Sequence, residues 1–112
     1  MYDFTDKVVV VTGGTRGIGF TTAAEFLSAG ACVVLSSRNE TNVKVAVNSL
    51  RGSNIEVNSR VRGVVGDFSI ESDVSRVYLE AERIFGGIDI LVNAAGISQG
   101  GKIWEISKED FQ

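Results

Sequence analysis

Directly after the run Val8-Val9-Val10-Val11, four glycines fall within seven positions: Gly13, Gly14, Gly17 and Gly19. Glycine loses the most conformational entropy on ordering, so such a cluster beside a strong strand signal marks a backbone geometry that other residues do not supply. The chemistry that needs this geometry is anion binding. The first turn of a helix offers unpaired backbone N–H groups and the positive end of a dipole, and a diphosphate binds there if side chains leave room for it. Gly13 then makes the turn out of the strand, Gly17 lets the backbone approach the phosphates, and Gly19 lets the new helix pack on the sheet. The spacing is Gly-x-x-x-Gly-x-Gly, not the more general Gly-x-Gly-x-x-Gly.

These residues need a strand before them and a helix after them, and the pattern provides both. Lys7 to Thr12 is a short, uniformly apolar stretch of the kind buried on both faces of a sheet. Gly17 to Ala29 carries Ile18, Thr22, Phe26 and Ala23, Leu27 at helical spacing and stops at Gly30. The unit repeats: Ala31 to Ser37 is a second strand, followed by Val43, Val47 and Leu50 on a helix capped by Asn39. After a polar loop from Gly52 to Ser59, with room for an irregular strand piece, Arg60 to Val65 is a third, weaker strand. Ile70, Val74, Val77, Ala81 and Ile84 mark an amphipathic helix with Ser69 as its cap and Gly86-Gly87 as its stop. Ile88 to Asn93 is a fourth strand, and Ser107 with Asp110 resembles a weak capping box opening one more helix. Alternating strands and helices imply βαβ crossovers and a parallel sheet covered on both faces.

Composition narrows the chemistry. The 112 residues are 44% apolar and 22% charged, which is ordinary for a globular fold, and suffice for a single domain. A net charge of −3 disfavours a broad attraction to nucleic acid or to an anionic membrane. There is no histidine, and Cys32 is the only cysteine, so the common zinc sites, a Ser-His-Asp triad and an intrachain disulfide are excluded. No metal site is expected. No apolar run is long enough to span a bilayer and the start, MYDFTDK, is unlike a signal peptide, so the expected location is cytoplasmic.

Thr12-Gly13-Gly14-Thr15-Arg16-Gly17-Ile18-Gly19 resembles the Thr-Gly-x-x-x-Gly-x-Gly turn of the short-chain dehydrogenase/reductase family. Two further stretches match in order and spacing. Gly66-Asp67-Phe68-Ser69 is similar to the family segment whose Asp meets the adenine amino group, and Asn93-Ala94-Ala95-Gly96 to the family's Asn-[Asn/Ala]-Ala-Gly element. The resemblance implies a Rossmann-type doubly wound sheet, strand order 3-2-1-4, in three α/β/α layers, and binding of a nicotinamide dinucleotide. It places Gly13, Thr15, Arg16, Gly17, Ile18, Gly19, Asp67, Phe68, Asn93, Ala94, Ala95 and Gly96 around the cofactor. Each match has a plainer alternative: Asp67 as a cap on the next helix, and Asn93 as a brace between strands.

Which nicotinamide cofactor is expected follows from the end of the second strand. An NAD-selective site has a carboxylate there for the ribose hydroxyls, whereas this chain has Ser36-Ser37-Arg38. A guanidinium at Arg38, with Arg16 facing it from the turn, suits the 2′-phosphate of NADP(H). The alternative for either arginine is a solvated surface cation.

The family resemblance also implies hydride transfer between nicotinamide and an alcohol or carbonyl, with a Tyr as acid/base and a Lys four positions later. Neither can be placed here: the tyrosines are Tyr2 and Tyr78, and four residues after Tyr78 stands Glu82. No catalytic residue is assigned. Residues 1–112 therefore look like a cofactor-binding half-domain, truncated before the catalytic half and expected not to turn over alone. Two alternatives remain, a non-catalytic NADP(H)-binding module and a structural interaction domain. The fourth strand is expected as a bare apolar edge that favours self-association or pairing with another polypeptide.

Overall fold

The computed structural model describes residues 3–13, 17–52, 55–94 and 104–107. Four parallel strands, β1 (Val8–Thr12), β2 (Cys32–Ser37), β3 (Val61–Val65) and β4 (Ile90–Asn93), lie in the order β3-β2-β1-β4. Helix α1 (Gly17–Ser28) joins β1 to β2. Helix α2 (Glu40–Arg51) and the four-residue α3 (Ile55–Asn58) join β2 to β3, and α4 (Glu71–Phe85) joins β3 to β4. This is the Rossmann-type α/β arrangement expected.

Strand alternation sorts the core into two layers. Val9, Val11, Val33, Leu35, Val61 and Val92 point to one face, where Ala23, Phe26 and Leu27 of α1 and Val43, Ala46 and Val47 of α2 cover them. Val10, Val34, Val64 and Leu91 point to the other face and meet Val77 and Ala81 of α4 together with Ile88. All five residues of β1 are buried because that strand has a neighbour on each edge and helices above and below.

The helix ends follow local chemistry. Asn39 caps α2 by accepting the Asn42 N–H on Oδ1 at 2.9 Å, as expected. Gly86 stops α4 in the left-handed region at φ 86° and donates to the Glu82 carbonyl. Gly30, at φ 97°, sits where an added Cβ would be 2.7 Å from Thr5 Oγ1, so a glycine is needed both for conformation and for space.

Five expectations are corrected. Ser69 does not cap α4; the cap position is Ile70, which is 47% exposed and not part of the buried stripe, and both Ser69 donors turn back to Asp67. Ile18, read as part of the apolar face of α1, is 45% exposed. The loop after Gly52 contains α3, and the Arg60 N–H just after it donates to the Val57 carbonyl. The edge of β4 is not bare: β5 (Trp104–Ser107) pairs with it antiparallel, Ile90 facing Ser107 and Asn93 facing Trp104. A segment soon after β4 in the same chain has a much higher effective concentration than a second chain, so the edge is satisfied internally and self-association through it loses its premise. Ser107 thus closes a strand, and the helix expected from it lies outside the described residues, as do the Asp110 side of that box and the polypeptide from 95 to 103.

No helix among the described residues is long and apolar enough to cross a membrane.

Candidate functional site

The in-register pairing of parallel strands brings their carboxyl ends together. Thr12 lies beside Ser36 on one side and Asn93 on the other, and Ser37 lies beside Val65. The chain leaves β1 toward β2, while β4 adds to the opposite side of β1, so the order reverses between β1 and β4. In open α/β sheets the crevice at such a reversal is where ligands sit. The backbone extends each pairing by one step: Gly13 N–H donates to the Ser36 carbonyl (2.7 Å), Ala94 N–H to the Thr12 carbonyl (3.0 Å) and Gly66 N–H to the Ser37 carbonyl (2.9 Å).

Two of the described glycines of the turn take conformations that only glycine adopts without strain. Gly13 and Gly17 have φ of 69° and 60°, a region that costs other residues strain. The Gly13 amide is used by β2, so this residue turns the chain and does not contribute a free donor. A Cβ built on Gly17 would meet nothing within 4 Å, so the space beside the first turn of α1 is open, as a phosphate cradle requires. Gly19 is buried, while Ile18 beside it is exposed. Gly14, Thr15 and Arg16 lie outside the described residues, as do Ala95 and Gly96.

Across the crevice, the loop after β3 is held from several sides. The Asp67 carboxylate accepts the Ser69 N–H (2.9 Å) and hydroxyl (2.7 Å), both on Oδ1. These two bonds, with Arg38 contributing a weaker attraction, hold its carboxyl below the usual aspartate range. The plainer reading of Asp67 as a cap on α4 is not what forms: its carboxylate closes a local turn, and only its carbonyl meets the Ile70 N–H. Phe68 packs edge-on against Tyr78 with ring centroids 6.1 Å apart.

Arg38 is exposed just past β2, and its charge adds a weak lowering influence on the Asp67 carboxyl. No acid takes the position after β2: the next one, Glu40, is in the first turn of α2 and lies 3.6 Å from Lys44. Asn93 braces the strands, since its Oδ1 accepts the buried Thr12 hydroxyl at 3.0 Å. Ser36 is fully buried and its hydroxyl has no partner among the described residues.

Sequence reasoning missed three members of this edge. Ser37 receives the Gly66 amide on its carbonyl and the Asn39 amide on its hydroxyl. Asp73 Oδ2 accepts the Asp67 N–H at 2.9 Å, and Arg76 donates to the Val65 carbonyl. The only signal for Asp73 was its position as an acid in the first turn of a helix. Burial pushes the Tyr78 phenol up to about 12, and it packs under Phe68, as suits a core residue and not a base. Burial likewise raises the Cys32 thiol.

Comparison with known proteins agrees with this geometry. The chain is 35% identical over 107 residues to a 3alpha-hydroxysteroid dehydrogenase of Mediterraneibacter gnavus, covering 96% of this chain and 42% of that protein. It is 38% identical over 105 residues to dehydrogenase/reductase SDR family member 4 of Homo sapiens, covering 93% of this chain and 36% of the relative. Among solved structures, menthone neomenthol reductase from Mentha piperita superposes with a TM-score of 0.76 at 33% identity, over 81% of this chain and 32% of that one. The C-domain of a bacterial malonyl-CoA reductase, solved with NADP, superposes with a TM-score of 0.77 at 29% identity, over 83% of this chain and 15% of that one. The chain thus spans well under half the length of these relatives. The family model described as short chain dehydrogenase matches residues 7–112, and with the reversal crevice and glycine turn in place the chain belongs to that family.

Proposed function

We propose that residues 1–112 form one dinucleotide-binding half-domain, the NADP(H)-binding portion of an oxidoreductase that interconverts an alcohol and a carbonyl compound. The observation that carries the cofactor choice is Arg38 at the carboxyl end of β2, where Ser36-Ser37-Arg38 offers a guanidinium and no carboxylate. A guanidinium there attracts a 2′-phosphate, and a charge-assisted contact of about 1.5–3 kcal/mol corresponds to roughly tenfold to hundredfold preference. The malonyl-CoA reductase domain solved with NADP supports the same choice by its likeness in fold.

In this reading Gly13, Gly17, Ile18 and Gly19 line the diphosphate, with Thr15 and Arg16 of the same turn beside them. Asp67 and Phe68 flank the adenine, the acceptor-only carboxylate suiting the base's amino donor. Asn93, Ala94, Ala95 and Gly96 form the floor. The bound dinucleotide supplies or receives the hydride. The 112 residues contain no Tyr followed four positions later by Lys, the pair that the family resemblance implies for the accompanying proton.

Calorimetric titration of the 112-residue chain with NADPH and NADH tests the reading. Tighter binding of NADPH supports it; equal affinity overturns the cofactor choice, and no binding of either favours a structural interaction domain. Saturable NADPH oxidation by the same chain with carbonyl compounds would overturn the expected lack of turnover. The second reading, a non-catalytic binding module, shares the binding result and fails if a longer protein containing these residues transfers hydride.

A further inference from the structure

Three residues on one side of the first turns of α4, Asp73, Arg76 and Val77, all engage the loop that ends β3. Asp73 Oδ2 accepts the Asp67 N–H at 2.9 Å. Arg76 Nη2 donates to the Val65 carbonyl and lies 3.7 Å from Asp73 Oδ1. Val77 is fully buried beneath Gly66, where an added Cβ would stand 2.9 Å from its Cγ2 and 3.5 Å from Arg76 Nη2. Spacing of i, i+3 and i+4 makes these three neighbours on the helix surface. On its other side the loop is tied to β2 by the Gly66 N–H to the Ser37 carbonyl.

The consequence concerns Asp67. Its backbone is gripped from α4, and its Oδ1 is occupied by both Ser69 donors. Among the described residues every hydrogen bond to this carboxylate falls on Oδ1, which leaves Oδ2 as an acceptor at the carboxyl edge of the sheet. A carboxylate held in this way is a fixed acceptor, and fixing it beforehand lowers the ordering cost of any contact it makes.

We infer that Asp73 is a positioning residue for base recognition: by holding the Asp67 amide it fixes where the Asp67 carboxylate meets the exocyclic amino group of adenine. The inference rests on the dinucleotide-binding reading above. Hypoxanthine tests it, since it carries a carbonyl oxygen where adenine carries the amino group, and a carboxylate accepts from one and repels the other. Asp73 is also an acid near a helix N-terminus, a role it shares with Glu71. The two roles separate by substitution. Asp73→Asn removes the charge and keeps an acceptor oxygen, Asp73→Ala removes both, and Glu71→Ala removes a charge that does not touch the loop.

The experiment is titration of the 112-residue chain with NADPH and with its hypoxanthine counterpart, alongside thermal unfolding. The unsubstituted chain is expected to prefer adenine by about tenfold to hundredfold, the range for one hydrogen bond to a charged group. Asp73→Ala should bring the ratio to within about twofold, while Asp73→Asn and Glu71→Ala keep it even though both lower the unfolding temperature. An unchanged ratio in Asp73→Ala, or an equal loss in Glu71→Ala, overturns the inference. Should Asp73→Ala not fold, amide exchange of Asp67 in the unsubstituted chain decides: a protected N–H supports the grip, and exchange as fast as a free amide overturns it. If the unsubstituted chain binds neither dinucleotide, the cofactor reading itself fails and takes this role with it. Binding of NADPH without adenine preference overturns the positioning role alone.

Discussion

The Thr12 hydroxyl donates to Asn93 Oδ1 at 3.0 Å, tying the carboxyl ends of β1 and β4 together across the crevice where the strand order reverses. Thr12 is buried and Asn93 is exposed, so the bond joins the core to the floor of the site. Thr12→Val keeps the shape and removes the donor. In a double-mutant cycle with Asn93→Ala, the coupling measured by urea unfolding should be about 1 kcal/mol, and a coupling near zero would show that the two strands hold their register without it.

Gly17 combines a left-handed φ of 60° with open space for a Cβ. Gly17→Ala should therefore cost only about 1 kcal/mol of stability, from backbone strain without a clash. Its effect on binding should be larger, because the new methyl group enters the space that the diphosphate needs. Calorimetry should find NADPH affinity reduced at least about tenfold while the fold persists; retained affinity would move the diphosphate elsewhere.

Arg38 is expected to select between the two nicotinamide cofactors. Arg38→Ala should weaken NADPH binding by about tenfold to hundredfold and leave NADH nearly unchanged, and Arg38→Asp should reverse the preference. Equal losses for both cofactors would make Arg38 a general anion contact and not a discriminator.

Tyr78 gives a pH dependence in the alkaline range. Its phenol is raised by burial from an ordinary 10 to about 12, so the neutral form is favoured in the folded chain. The resulting stabilisation is fully present below pH 10 and is lost as the pH rises toward about 12, because the unfolded chain ionises first. Ultraviolet titration of phenolate should show a late phase that vanishes in Tyr78→Phe, and that variant should lose less stability between these pH values. If Tyr78→Phe instead removes a phase at the ordinary value, the burial argument fails.

Gly63 in β3 faces α2, where an added Cβ would clash with Val43 Cγ1 and lie 2.8 Å from Val47 Cγ2. Gly63→Ala should destabilise the fold by about 1–3 kcal/mol through overpacking, and Val43→Ala in the same chain should recover part of that loss. Denaturant midpoints of the three variants check it, with simple additivity as the contrary result.

Much of the fold was legible in the chain. The runs Val8–Thr12 and Cys32–Ser37 and the stops at Gly30 and Gly86 are local signals, and β1 to β4, α1, α2 and α4 each fall within a residue or two of their expected places, whereas α3 and β5 were not expected. The glycine turn was legible for a similar reason: a positive φ at Gly13 and Gly17 is a property of single residues. Ser69 misled because a serine before a helix also closes turns, and here Asp67, two residues earlier, offered both its donors a better acceptor. Pairing of β5 with β4 left no comparable sign in the residues between them.

Residue type and spacing alone determined the alternation of strands and helices, the glycine conformations at Gly13 and Gly17, and the guanidinium in place of an acid after β2. Tertiary structure alone decided which atoms meet: Asp73 with the Asp67 amide, Arg76 with the Val65 carbonyl, Arg60 Nη1 with the Leu27 and Ala31 carbonyls, and Asp89 Oδ2 with the Val8 N–H. Periodicity reports which face of an element is apolar, whereas these contacts join a side chain to backbone elsewhere in the fold. They come into being only when the layers have stacked and the strands have taken their register.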